Sequence, residues 1–264
     1  MRGDITGLVL VGLLLAGIGA ETQAPVDKWF DSNGIRLRYI DSGSGVPIIL
    51  IHGYTRFLES NWVVHGVFAD LSKDHRVMAY DMPGHGKSGK AYAPSAYRDM
   101  ATDPIRLMDH LGINRAHLLG YSMGGGVVAK VAVTHPERLI TAILGGHSGY
   151  REWEPADEKY YEDSARELET DVPFRSLVSS PGLTGSKPTE EQIRALSASL
   201  AAENDVKALA AASAEPFGAR SSLPPFANSL PSTGESHVVR CVPWLVGGYD
   251  DIREGIRAPS GRRL

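Results

Sequence analysis

Ala116-His117-Leu118-Leu119-Gly120-Tyr121-Ser122-Met123-Gly124-Gly125-Gly126-Val127-Val128-Ala129 is the stretch that decides the fold. It opens on an apolar run of strand length and continues, from Met123 to Thr134, as a small-residue apolar segment with the character of a buried helix. Between the two, Gly120-x-Ser122-x-Gly124 places a serine on a sharp strand-to-helix turn. Glycines on either side let strand and helix approach where side chains would collide, and the turn leaves the hydroxyl exposed on a strained backbone. In a chain with 29 glycines the five-residue pattern alone is weak. The apolar strand before it and the apolar helix after it supply the context that makes Ser122 a nucleophile rather than a structural serine in a glycine-rich turn.

Outward from this turn the chain alternates strands with helices. Lys28 to Asp31 and Ile35 to Asp41 read as strands joined by Ser32-Asn33-Gly34. Val46 to Ile51 is a continuous apolar run, as in a strand buried on both faces. A helix is expected over Trp62 to Leu71, a strand over Arg76 to Tyr80, a helix over Tyr97 to Leu111 and a strand over Leu139 to Leu144. Such alternation predicts an α/β fold, a mostly parallel twisted sheet with helices on both faces and the initial hairpin at one edge. Residues 151–232 break the rhythm and read as a mainly helical cap insertion. Thr189-Glu190-Glu191-Gln192 is a capping box ahead of Ile193, Leu196 and Leu200, and a second helix is expected over Asp205 to Ser213. Val242 to Val246 then returns as a core strand. The layout expected is therefore a signal peptide over 1–20, a first core part over 21–150, the cap over 151–232 and a returning core part over 233–264.

Twenty-seven Lys and Arg against 31 Asp and Glu leave a net charge of −4 with no dense basic block, which argues against a nucleic-acid surface and for a small neutral or mixed substrate. Arg2, the uncharged run Ile5 to Ala20 and Ile18-Gly19-Ala20 have the form of a cleavable export signal. The run falls short of the ~20 residues that span a bilayer, so export without a stable membrane span is expected. Cys241, the single cysteine, excludes an internal disulfide and reads as a buried thiol rather than a nucleophile. Gly86-Lys87-Ser88 resembles the end of a phosphate-binding loop, but Asp81 stands where that loop requires glycine. No cofactor or metal is expected.

A second chemical signal ends the first buried run, at Ile51-His52-Gly53-Tyr54. Acyl transfer needs donors aimed at the developing oxyanion, and the backbone N–H groups of Met123, next to the nucleophile, and of Tyr54 are the candidates. His52 is read as shaping this loop. His52-Gly53-Tyr54, Asp81 to Ser88, Gly120 to Gly124 and Val242 to Asp250 together resemble, in order and spacing, the α/β-hydrolase superfamily, in its branch of esterases, C–C bond hydrolases and cofactor-free haloperoxidase-like enzymes. The resemblance runs from residue 28 to about residue 250. Serine at 122 speaks against the members that use an aspartate nucleophile. The resemblance implies a triad acid just beyond the next-to-last core strand, which makes Asp250 the first choice and Asp251 the second. It also implies a base histidine beyond a further helix and strand. Thirteen residues follow Asp251 and none is histidine, and neither His147 nor His237 matches the family position. The expectation is thus a fold lacking its last strand and helix, and a serine hydrolase of carboxylic esters or related small acyl substrates with weakened or lost activity. The competing expectation is a non-catalytic relative that binds a small ligand under its cap.

Overall fold

The computed structural model describes residues 25–147, 154–180 and 187–215, and the backbone of residues 238–242. Among these, seven strands form one sheet: β1 (Lys28–Ser32), β2 (Ile35–Ser42), β3 (Pro47–Ile51), β4 (Arg76–Tyr80), β5 (Ala116–Tyr121), β6 (Leu139–Gly145) and β7 (Val238–Val242), in the order β1-β2-β4-β3-β5-β6-β7. The β1–β2 hairpin lies at one edge, as the sequence predicts. Asn33 (φ 53°) and Gly34 (φ 85°) both take the left-handed conformation, which a two-residue hairpin turn demands and which Asn-Gly supplies at least cost. β2 pairs antiparallel with β4, and every pairing from β4 through β7 is parallel.

The central strand shows why the sheet needs two covers. Ile48 and Leu50 of β3 point to a cluster with Leu58, Trp62 and Phe68, whereas Ile49 and Ile51 point to one with Met108, Val127 and Val131. All four isoleucine and leucine side chains are fully buried. The period of two thus feeds both faces, and helices must close each. The first face is covered by a π-helical turn at Glu59–Val63 and by α1 (Val67–Leu71); Gly66, at φ 74°, separates them, so the single helix expected over 62–71 is split. The second face is covered by α2 (Asp103–His110) and α3 (Met123–Thr134). The helix expected over 97–111 is also subdivided, with 3₁₀ turns at Pro94–Tyr97 and Met100–Thr102 leading into α2. Pro104, which has no N–H to give, sits in the first turn of α2, where none is needed.

The returning strand lies four residues earlier than expected. β7 pairs Val238–Val242 with Thr141–Gly145, whereas the sequence reading places a strand over 242–246. Arg240 interrupts the apolar pattern and disguises the start of the strand. Residues 243–264, Asp250 and Asp251 among them, lie outside the described residues, as does His237.

Between β6 and β7 the described helices are α4 (Pro155–Glu167), α5 (Arg175–Val178), α6 (Glu190–Glu203) and α7 (Val206–Ala214). The Thr189 capping box forms at the head of α6: Gln192 N–H donates to Thr189 Oγ1 (3.3 Å) and Thr189 N–H to Gln192 Oε1 (2.8 Å). Asp205 caps α7 through Ala208 N–H (3.0 Å). α4 has no counterpart in the sequence reading. Its start was legible in Glu154-Pro155-Ala156-Asp157, where Asp157 accepts the Glu154 N–H (2.9 Å). The inserted helices carry their own small core of Leu168, Val172, Phe174, Val178, Ile193 and Leu209, and Tyr54 packs against it. Among the described residues no helix is long and apolar enough to cross a membrane.

Candidate active site

Ser122 stands at the junction of β5 and α3 with φ 50° and ψ −112°, a conformation that costs a non-glycine residue about 1–3 kcal/mol. What enforces it is the closeness of strand and helix. A Cβ on Gly120 would lie 2.0 Å from the Gly124 oxygen, and one on Gly124 would lie 2.2 Å from the Ile51 oxygen, so both positions admit only glycine. The Ser122 N–H donates to Gly145 O of β6 (2.7 Å), and its carbonyl accepts the Gly126 N–H (3.2 Å). The strained residue is therefore pinned on both sides.

The loop after β3 lies directly against this turn. A Cβ on Gly53 would meet the Tyr121 ring at 3.1 Å and Ser122 Cβ at 3.5 Å. Gly53 N–H donates to Asn61 Oδ1 (2.9 Å), and Gly53 O accepts from Arg56 N–H (3.2 Å). His52 supports the same residue from below. Its Nε2 accepts the Met82 N–H (2.9 Å), which leaves the proton on Nδ1 to donate to Gly53 O (2.9 Å). Burial pushes the His52 pKa down to about 4, so this imidazole is neutral and structural at pH 7. Met123 opens α3 directly after Ser122, and Tyr54 directly follows Gly53, which packs on that turn.

Tyr54 turns its ring toward the inserted helices. It meets Phe174 edge-to-face (centroids 6.3 Å apart) and His85 likewise (6.1 Å), and its hydroxyl lies 3.1 Å from Ser213 Oγ of α7. Burial pushes the Tyr54 pKa up to about 12, so the phenol keeps its proton. His85 donates from Nδ1 to Pro83 O (2.9 Å), and burial, with the neighbouring His52, brings its pKa down to about 3.

The Asp81–Ser88 loop is a structural hub. The buried Asp81 carboxylate accepts Leu58 N–H (2.8 Å), Lys87 N–H (2.9 Å) and Arg38 Nη1 (3.1 Å), and Gly86 packs against it so closely that a Cβ would lie 2.3 Å from Oδ2. Lys90 spends its ammonium on the His85, Gly86 and Ser88 carbonyls. Lys87, the lysine that a phosphate site would use, pairs with Asp27 (2.8 Å), and the Lys87 and Ser88 amides donate to Asp81 and to His85 O, so these groups are committed to the fold.

The structure puts His147, which matches no family position in the sequence, beside α3. A Cβ on Gly125 would come within 2.7 Å of His147 Cβ, and one on Gly126 within 3.2 Å of its Nε2. Burial holds its pKa below the usual histidine range. The signal in the sequence was the run Gly124-Gly125-Gly126, since three glycines in a helix start need a reason. Gly53, the residue before Tyr54, packs against Ser122, which Met123 follows directly; Asp250 lies outside the described residues. Among the described residues no group of His, Cys, Asp or Glu is arranged to hold a metal ion.

Residues 46–180, half of the chain, match the family model described as alpha/beta hydrolase fold. The chain belongs to the α/β-hydrolase family. The chain is 38% identical over 133 residues to the dihydrolipoyllysine-residue acetyltransferase component of the acetoin cleaving system of Cupriavidus necator, covering 50% of the chain and 35% of that protein. It is 38% identical over 119 residues to the 2-hydroxymuconate semialdehyde hydrolase of Pseudomonas sp. strain CF600, covering 44% and 41%. The chain thus spans well under half the length of these curated relatives. The fold superposes on the crystal structure of a hydrolase from Pseudomonas aeruginosa with a TM-score of 0.62, at 19% identity, over 88% of this chain and 98% of that one.

Proposed function

We propose that this α/β-hydrolase is a serine hydrolase of carboxylic esters or related small acyl substrates, with the helices between β6 and β7 forming a cap over the site. The observation that carries the reading is Ser122 at φ 50°, ψ −112° on the β5–α3 turn, with the Gly53–Tyr54 loop packed against it. In this reading Oγ attacks the carbonyl carbon, and the carbonyl π pair moves onto oxygen, where the Tyr54 and Met123 N–H groups receive it at the positive end of α3. The hydroxyl proton passes to a base and from there to the departing alkoxide, and water then cleaves the acyl-enzyme. Asp250 is the acid of this scheme. The base is left unassigned. The name of the Pseudomonas relative, a 2-hydroxymuconate semialdehyde hydrolase, supports a small-molecule substrate. Export, directed by residues 1–20, belongs to the same proposal, and N-terminal sequencing of the secreted chain would overturn it by returning Met1.

The test is reaction of the purified chain with a fluorophosphonate, with peptide mapping of the label, alongside p-nitrophenyl acetate hydrolysis by the chain and its Ser122→Ala variant. Label on Ser122, with a variant reduced to background, is the expected result. Equal background rates and no label would remove the enzymatic reading. They would leave the second one, a small-ligand binder, whose support is the group of helices between β6 and β7 that packs against Tyr54.

A further inference from the structure

The loop that carries the Tyr54 amide is fixed from two sides by different parts of the chain. Gly53 is held by the core, through Asn61 and His52. The next two residues are held from the other side. Tyr54 OH lies 3.1 Å from Ser213 Oγ of α7, and Thr55 O accepts a hydrogen bond from Asn204 Nδ2 (3.3 Å) at the junction of α6 and α7. Asn204 is itself locked, since the same amide donates to Leu200 O (2.9 Å). Thr55 is buried and has φ 61°, a left-handed conformation that a β-branched residue adopts only when its surroundings enforce it. The peptide that bears this strain is the one the α6–α7 junction grips. α7 is tied to the core independently, through Asp205 to Tyr92 OH (2.9 Å) and through Ala211 and Ala212 in the main core cluster.

We infer that Asn204 and Ser213 are positioning residues for the oxyanion loop: the inserted helices hold Tyr54 and Thr55 in the strained conformation that aims the Tyr54 N–H at the Ser122 turn. The inference rests on the proposed roles of Ser122 and Tyr54. It assigns to α6 and α7 a part in rate as well as in enclosing the substrate. Loss of either hydrogen bond releases the loop, so the transition state loses a donor while ground-state binding of the ester changes little.

The experiment compares the full chain with Asn204→Ala, Ser213→Ala and Ser213→Thr. Two readouts are used, steady-state p-nitrophenyl ester hydrolysis and amide hydrogen exchange over residues 53–58. For each alanine variant we expect kcat to fall about three- to tenfold, the scale of one net hydrogen bond, with KM within about twofold. Faster exchange confined to 53–58 should accompany the fall, and Ser213→Thr, which keeps the hydroxyl, should restore both. A lowered melting temperature with unchanged kcat and unchanged exchange at 53–58 would overturn the inference and leave Asn204 and Ser213 as simple ties between layers. A wild-type chain that neither turns over ester nor takes the fluorophosphonate would refute the hydrolase reading. In that case the exchange comparison still decides whether the helices hold the loop.

Discussion

Replacing each glycine of the Gly124-Gly125-Gly126 run by alanine sets two opposed effects against each other at neighbouring positions. In a helix interior, alanine is favoured over glycine by about 0.5–1 kcal/mol, because glycine loses more backbone freedom on folding. At Gly124 the added methyl would stand 2.2 Å from the Ile51 carbonyl oxygen and 2.7 Å from that of His52. Both obstacles are backbone of a central strand and the loop beyond it, so neither can rotate away, and the shift required is roughly 1 Å. Overpacking of this kind costs about 1–3 kcal/mol and occasionally more. The clash outweighs the propensity, and Gly124→Ala should lose about 2 kcal/mol. At Gly126 the methyl meets only the tip of the His147 ring, at 3.2 Å, and a side chain can give way by a few tenths of an ångström. There the propensity wins, and Gly126→Ala should be neutral or more stable by up to ~1 kcal/mol. Gly125→Ala, facing His147 Cβ at 2.7 Å, should fall between them. Urea unfolding followed by far-ultraviolet circular dichroism, with slopes checked for constancy, gives the three values. A Gly124→Ala chain as stable as the parent, or a Gly126→Ala chain less stable than Gly124→Ala, would refute the argument that strand–helix closeness dictates these glycines. Since Ile51 and His52 lead into the oxyanion loop, Gly124→Ala should also slow fluorophosphonate labelling of Ser122.

Three further outcomes are expected. Asp103, buried beneath Ser32 with Arg106 at 3.1 Å, has its pKa pushed up to about 7 by burial, which outweighs the pull of those partners. The folded state therefore favours the protonated carboxyl: its stabilisation is full below about pH 4 and is lost as pH rises through 7, a change of at most about 4 kcal/mol at 1.36 kcal/mol per unit. The stability difference between the parent and Asp103→Asn should drift in that direction between pH 4.5 and 8; the buried histidines His52, His85 and His117, which act oppositely, cancel in the difference, and a constant gap across the range would contradict the burial argument. Ser122→Gly should be more stable than Ser122→Ala by about 1 kcal/mol, because only glycine relieves the backbone strain at φ 50°, while both abolish labelling; matched thermal melts decide it. Asp205→Ala removes the N-cap of α7 and its bond to Tyr92, and should cost about 1 kcal/mol by urea unfolding, with no loss if the cap is unimportant.

Periodicity and turn chemistry are local, and the sequence by itself determined what depends on them. The alternation of strands with helices, the hairpin at Asn33-Gly34, the capping box at Thr189 and the serine turn at Gly120–Gly124 could all be read before any coordinates, because each follows from residues a few positions apart. Where a local signal was divided or disguised, the boundaries moved: Gly66 split a helix, Pro104 deferred one, and Arg240 hid the start of β7. Long-range approach was decided by the tertiary structure alone. That Gly53 lies on Ser122, that Gly125 faces His147 Cβ, and that Asn204 and Ser213 reach the Tyr54–Thr55 loop from about 150 residues away depend on how layers stack. The serine turn was legible in five consecutive residues. The surroundings that hold the Gly53–Thr55 loop in place come from the sheet, the π-helical turn and the inserted helices, which no window of sequence contains together.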